Sequence, residues 1–380
     1  MSSRSSQSLL VTSGALLILL LIGVASLVGR VPHPVEGAFW VVPTLVPSLT
    51  LTSSPTATPT PTILPPTPTP TSTPSPSPTP TMVSPPSTPT PTSPLTAADV
   101  CADEEGEVLR GTFYSPTLGR SMRYRVYLPP CYDEANRLFP VLYIFHGMGY
   151  TDSQWDVLGL DEAVDAGVRS GRLSPFIIVM PNAGSIANTT DGGPGSFETV
   201  VVEELMPFIA DNFCTWETRR ARAIGGLSRG GFWALEIALR HPTLFARVGA
   251  HSPGLFWDNA IPAYNPLYLA SDAPGIERVQ VYIDVGRSDW LRSGAQTMDR
   301  LLEERGIAHQ FLLRPGEHSD AYWASHVAEY AAFYAQDWPR DWRDLPQRFT
   351  CPDDFLSPSC RRQWRGRDFR CRPPGLVRQR

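Results

Sequence analysis

The chain has 380 residues and a formal net charge of −5, and all 32 of its basic side chains are arginine. The lack of lysine excludes a P-loop lysine, a Schiff-base lysine and a Ser-Lys dyad, and the acidic balance gives no general case for a nucleic-acid partner. Six cysteines occur without a C-x-x-C pair, so zinc-site and thioredoxin-like spacings are missing, and neither a metal nor a cofactor is expected.

Leu9–Val28 is a run of about 20 uncharged residues dense in Leu, Ile and Val, long enough to cross a bilayer as one helix. Arg4 before it, with an extracytoplasmic domain after it, fits an N-in orientation, although Arg30 on the far side leaves the charge bias slight. The competing reading is a cleaved signal peptide, with Val24-Ala25-Ser26 supplying small residues near a cut site. Either way the remainder is exported, and the length of the run favours a retained single-pass anchor in the cell membrane over secretion. Residues 1–30 are therefore a cytoplasmic tip with a transmembrane anchor or signal peptide. Residues 31–98 form a linker, charge-free from Pro43 to Pro94, in which Pro, Thr and Ser recur and nothing is available to bury. Extended at roughly 3.1 Å per residue, that stretch reaches on the order of 150 Å.

The folded domain is expected at 99–340. Strands are predicted at Val108–Tyr114, Ser121–Leu128 and Pro140–Phe145, the last running into His146-Gly147-Met148-Gly149. A helix over Trp155–Ser170, a buried strand at Pro175–Met180 and a helix over Thr199–Phe213 follow. Ala221–Gly225 reads as a strand and Arg229–Arg240 as a helix closed by His241-Pro242. Further strands are predicted at Ala246–Ala250, Val279–Val285 and Gln310–Leu313, with helices over Ala295–Arg305 and Ala321–Trp338. Fully apolar strands alternating with amphipathic helices predict an α/β fold with a mostly parallel sheet covered on both faces.

Between strand and helix lies Gly225-Gly226-Leu227-Ser228-Arg229-Gly230-Gly231. In a strand-turn-helix elbow, the positions two before and two after the serine come close together, which explains Gly226 and Gly230. The Ser228 hydroxyl then stands clear of the sheet, and the Arg229 N–H lies at a helix N-terminus where negative charge is stabilised. A serine nucleophile needs a base, and the base needs a carboxylate to hold its tautomer. Asp289 follows the strand Val279–Val285 and His318 follows Gln310–Leu313, giving the chain order Ser, acid, His. Asp284 lies inside its strand and reads as buried structure, and Asp320 is too near His318 in sequence to orient it. Of the other histidines, His251 comes too early for the order and His146 reads as structural. The Met148 N–H, after the first parallel strand, supplies a second oxyanion donor beside Arg229. Trp155, Trp290 and Trp323 flank these loops and are candidates for a substrate pocket, each with core packing as its alternative.

Several stretches carry a resemblance to a known family. They are Met122–Tyr127 running into Leu128-Pro129-Pro130; Phe145-His146-Gly147; Glu203–Ile209; Gly225–Gly231; Asp284-Val285-Gly286 with Asp289; and Gly316-Glu317-His318 with Trp323. Over about residues 108–338 the chain resembles the esterase family of the α/β-hydrolase superfamily that contains esterase D, feruloyl and acetyl xylan esterases, enterochelin esterases and mycolyltransferases. The resemblance implies an α/β-hydrolase fold and a Ser228–His318–Asp289 triad. Arg229 stands where this family often has methionine, and only its backbone is required. An ester substrate, such as a cell-wall or plant polysaccharide ester, is the expected partner.

Residues 341–380 form a Cys- and Arg-rich tail. In an exported chain Cys351, Cys360 and Cys371 point to disulfides, and six cysteines allow 15 pairings. Asn188-Thr189-Thr190 matches a glycosylation acceptor, a pattern of low specificity. The reading is thus an extracytoplasmic serine esterase. The alternatives are an acyltransferase passing the same acyl group to a carbohydrate or lipid, and a non-catalytic domain that binds a cell-surface ligand.

Overall fold

The apolar runs of the sequence become neighbours in one sheet. In the computed structural model, the structure describes residues 105–133, 135–348, 371–373 and 375–378. The apolar run Leu9–Val28, the linker, and Cys101, Cys351 and Cys360 lie outside the described residues. Among the described residues no helix is long and apolar enough to cross a membrane.

The strands are β1 (Glu107–Ser115), β2 (Arg120–Leu128), β3 (Val141–Phe145), β4 (Ile177–Pro181), β5 (Arg222–Leu227), β6 (Arg247–His251), β7 (Gln280–Gly286), β8 (His309–Arg314) and β9 (Val377–Arg378). Their order in the sheet is β8-β7-β6-β5-β3-β4-β2-β1-β9. From β4 to β8 the pairings are parallel, whereas β2 runs antiparallel to β4 and to β1. The parallel strands β3 and β4 are buried along their whole length, which is why they read as continuous apolar runs without alternation; β6 is equally buried but carries Arg247 and His251 at its ends.

The helices are α1 (Gln154–Val157), α2 (Leu160–Arg169), α3 (Ile186–Thr189), α4 (Phe197–Thr199), α5 (Met206–Asn212), α6 (Arg229–Arg240), α7 (Pro266–Asp272), α8 (Arg292–Glu304), α9 (Asp320–Ala324) and α10 (Val327–Tyr334). One core layer packs α5, α6, α7 and α8 on one sheet face, through Ile209, Phe232, Leu267 and Met298 among others. The other layer packs α1, α2, α9 and α10 on the opposite face, through Trp155, Val164, Trp323 and Tyr330.

Three predicted helices are broken, each for a local reason. Trp155–Ser170 divides at Gly159, which takes a left-handed φ of 85°. Within Thr199–Phe213 the ladder switches at Val200–Leu205 to π geometry, and the Met206 N–H donates to the Val201 carbonyl. Pro207 follows at once, and a proline there has no N–H to donate to an α-helical partner. Ala321–Trp338 divides at Ser325-His326, where the Ser325 hydroxyl donates back to the Tyr322 carbonyl at 2.7 Å and competes with the backbone ladder.

The tail residues described here are fastened to the domain. Cys214 and Cys371 form a disulfide across a separation of 157 residues. The Tyr132 hydroxyl donates to the Cys371 carbonyl at 2.9 Å and accepts from the Cys214 N–H at 2.7 Å. Arg372 pairs with Asp133 and Glu107, Arg378 pairs with Glu107, and β9 adds antiparallel to β1. These arginines are matched by the domain's own acids.

Candidate active site

The elbow follows from its glycines. Ser228 has φ 55° and ψ −120°, a conformation that a non-glycine residue holds only when its surroundings force it. A Cβ on Gly226 would overlap the Gly230 carbonyl, and one on Gly230 would overlap the carbonyls of Phe145 and His146. The close approach of β5, α6 and the end of β3 therefore requires glycine at both positions. The Ser228 N–H donates to the His251 carbonyl at 2.9 Å, and the Gly254 N–H donates to the Ser228 carbonyl at 3.0 Å, which pins the turn on both sides.

Three side chains from three loops meet at this turn. His318 Nε2 lies 3.0 Å from Ser228 Oγ. His318 Nδ1 lies 3.0 Å from Asp289 Oδ2 and 3.2 Å from Oδ1. Asp289 is buried and takes further hydrogen bonds from the Leu291 N–H at 2.8 Å and from the Ser252 hydroxyl. Burial alone would raise its pKa; the donations from His318, Leu291 and Ser252 outweigh burial and hold the carboxyl below its ordinary range. An ionised Asp289 can only accept, so His318 Nδ1 carries the proton and Nε2 faces Ser228 as an acceptor.

The remaining candidates divide. Met148 is exposed on the loop after β3, and that loop runs against the elbow: a Cβ placed on Gly147 would come within 3.5 Å of Ser228 Cβ. The Arg229 side chain points away from the nucleophile. Its guanidinium donates to the carbonyls of Ala187 and Thr190 and to Asp191, and it lies over the Phe232 ring. Its backbone N–H stays at the first position of α6, where no intrahelical acceptor exists. Trp290 is exposed, its ring centroid 5.3 Å from that of His318 and 6.4 Å from that of Phe256, to which it lies nearly parallel.

Trp155 is not a pocket residue. It is buried in the core, its indole donates to the Phe145 carbonyl at 2.9 Å, and it packs edge-on against His251. Trp323 is buried as well. It packs edge-on to His318 at 4.9 Å and donates to Ser252 Oγ at 3.2 Å, so it backs the imidazole instead of lining open space. His146 is structural: Nε2 accepts from the Ala183 N–H at 3.0 Å, which leaves Nδ1 to donate to the Gly147 carbonyl at 2.8 Å. Asp284 is fully buried and gathers His251, Tyr322 and Tyr330, each at 2.7 Å. Ser252, Gln154 and Phe256 escaped the sequence reading. Ser252 directly follows the parallel strand β6 and has φ 47°, and that place is the one local signal that it carries.

The family model described as "Putative esterase" matches residues 115–334. The chain belongs to this esterase family. It is 34% identical over 223 residues to an endo-1,4-beta-xylanase/feruloyl esterase of Xylanibacter ruminicola, covering 54% of this chain and 30% of that protein. It is 37% identical over 148 residues to an esterase of Mycobacterium tuberculosis, covering 37% of this chain and 31% of that one. The matches thus span about a third of the length of these curated relatives. Among solved structures, a ferulic acid esterase superposes with a TM-score of 0.56 at 28% identity, covering 61% of this chain and 99% of that one. An S-formylglutathione hydrolase from Staphylococcus aureus superposes with a TM-score of 0.52 at 19% identity over 61% and 99%, a likeness of fold. The architecture is the α/β-hydrolase fold.

Proposed function

We propose that the protein is a serine carboxylesterase that works through an acyl-enzyme on Ser228. The observation that carries the reading is the unbroken chain of hydrogen bonds from Asp289 through His318 to the hydroxyl on the strained turn. Ser228 Oγ attacks the ester carbonyl carbon and its proton passes to His318 Nε2, while Asp289 holds the resulting imidazolium. The carbonyl oxygen gains charge and is received by the Met148 and Arg229 N–H groups, donors whose removal costs roughly 10²–10³ in rate in comparable sites. Collapse breaks the ester C–O bond, and the leaving alkoxide takes the proton from His318. Water then attacks the acyl group with His318 again as base, releasing the acid and restoring Ser228.

The substrate class proposed is an ester of a cell-wall or plant polysaccharide. It is supported by the feruloyl esterase names among the relatives and by the exposed pair Phe256 and Trp290 beside the base, which offers an aromatic face to an aryl or sugar ring. Export past a membrane, with Leu9–Val28 kept as an anchor, is proposed on the length of that run and agrees with the Cys214–Cys371 disulfide.

The test is hydrolysis of p-nitrophenyl acetate and a feruloyl ester by the protein and by Ser228→Ala. Turnover should vanish in the variant while its thermal unfolding stays that of the parent, and an acetylated Ser228 peptide should be trapped by acid quench. Full turnover by the alanine variant would sink the assignment.

A further inference from the structure

Gln154 opens α1 with its polar side chain buried at 3% exposure. A primary amide is tolerated there only if both of its ends are satisfied, and they are satisfied by two different loops. Oε1 accepts from the Gly147 N–H at 2.9 Å. Nε2 donates to Asp320 Oδ1 at 2.9 Å. The Tyr150 hydroxyl donates to the other Asp320 oxygen at 3.3 Å, so Asp320 is reached once from the loop after β3 and once from the start of α1. Gly147 directly precedes Met148, and Asp320 follows His318 by two residues and opens α9. In the sheet, β3 and β8 are separated by β5, β6 and β7. Their loops therefore meet over the elbow, and Gln154 joins them there.

We propose that Gln154 is a positioning residue: its side chain bridges the loop carrying the oxyanion donor Met148 to the loop carrying the base His318, so that the two halves of the site keep register. The inference rests on the serine-esterase reading and goes beyond it, since the hydrogen bonds of the Gln154 side chain go to Gly147 and Asp320 and not to Ser228. The bond to Gly147 fixes the peptide plane next to the one that carries the Met148 N–H. The bond to Asp320 fixes the first residue of α9, two residues after His318. The chemistry of the bridge demands an acceptor at one end and a donor at the other, which glutamine supplies without charge. A carboxylate at position 154 would still accept from Gly147 but would face Asp320 with like charge. A misplacement of about 1 Å between reacting groups costs roughly 10²-fold in rate.

The experiment compares kcat and KM for p-nitrophenyl acetate in the parent, Gln154→Glu, Asp320→Ala, and the reciprocal pair Gln154→Glu with Asp320→Asn, with Ser228→Ala as the blank. Gln154→Glu should lower kcat by roughly 10- to 100-fold with KM changed much less, and Asp320→Ala should lower kcat in the same sense. The reciprocal pair should recover most of the loss, because the new amide at 320 donates to the new carboxylate at 154. A merely structural role would make the pair at least as damaged as either single change, with losses that follow the melting temperature. Unchanged kcat in Gln154→Glu, or no recovery in a folded pair, overturns the inference. If Gln154→Glu fails to fold, Asp320→Ala and the pair decide by the same criteria. Turnover that needs Ser228 but ignores positions 154 and 320 overturns this inference alone, whereas a parent without Ser228-dependent turnover overturns the esterase reading and this inference with it.

Discussion

Replacing Asp289 by asparagine tests the proposed mechanism where the structure is most constraining. One carboxylate oxygen, Oδ1, accepts from the Leu291 N–H at 2.8 Å. That backbone donor cannot rotate, so the amide oxygen of the variant must take the Oδ1 place. The amide nitrogen then falls at the Oδ2 place, 3.0 Å from His318 Nδ1. Two N–H donors cannot face each other, so the imidazole must adopt the other tautomer. Its Nε2 then carries a proton toward Ser228 Oγ, at 3.0 Å, and no longer accepts one. In a Ser-His-Asp site this wrong tautomer costs ~10⁴ in kcat, or about 5 kcal/mol on the barrier. The assay is steady-state hydrolysis of p-nitrophenyl acetate at neutral pH, with circular dichroism to establish an unchanged fold. A kcat within tenfold of the parent would refute the role given to Asp289, and with it the reasoning that runs from its ionised state to the tautomer of His318.

Two further outcomes concern stability. Glu198 is buried, which by itself would raise its pKa, but hydrogen bonds from His241 and the Gly193 N–H and the charge of Arg240 bring it down to about 2. A depressed carboxylate stabilises the fold fully above its unfolded pKa and loses that contribution as pH falls through the folded value. Glu198→Gln should therefore cost about 3 kcal/mol at neutral pH, a difference that shrinks as pH falls from about 4.5 toward 2; denaturant melts of both proteins across that window check it, and a pH-independent difference would contradict it. Cys214→Ser opens a loop closed across 157 residues, and chain entropy puts the loss near 5 kcal/mol. An unchanged midpoint in oxidised urea melts would show that the bridge constrains little.

How far the sequence alone reaches is seen in particular residues. Gly226, Ser228 and Gly230 were legible because a strand, a turn and a helix leave distinct local marks, and the helix Arg229–Arg240 has the expected ends. Asp289 and His318 were legible because each follows an apolar run, and in a parallel sheet such loops gather at one edge. For Trp155 the sequence leaves pocket and core both open, because its exposure is set by how α1 sits on β3 and not by its neighbours in sequence. Gln154 and Ser252 carry no local signal of Asp320 and Asp289, the partners that lie far along the chain. The partner of Cys214 was likewise open, since pairing depends on where the tail returns. The break of the last long helix falls at Ser325, whose hydroxyl donates back to the Tyr322 carbonyl in competition with the ladder, a contact that the apolar pattern does not mark.

The short strand β9 has a consequence for behaviour in solution. A sheet whose outermost strand is uncovered offers a row of unpaired N–H and C=O groups to any similar strand. On the β1 side that row is partly covered by two residues, Val377 and Arg378, which the Cys214–Cys371 bridge keeps close at hand. Under reducing conditions the cover keeps its ion pairs and its short ladder but loses its covalent tie, so the nine residues of β1 should be exposed more often as a template for a second molecule. Loss of the disulfide should then be seen as concentration-dependent self-association before any unfolding. The redox state of the surroundings would in that way govern how readily one molecule pairs with another along this edge.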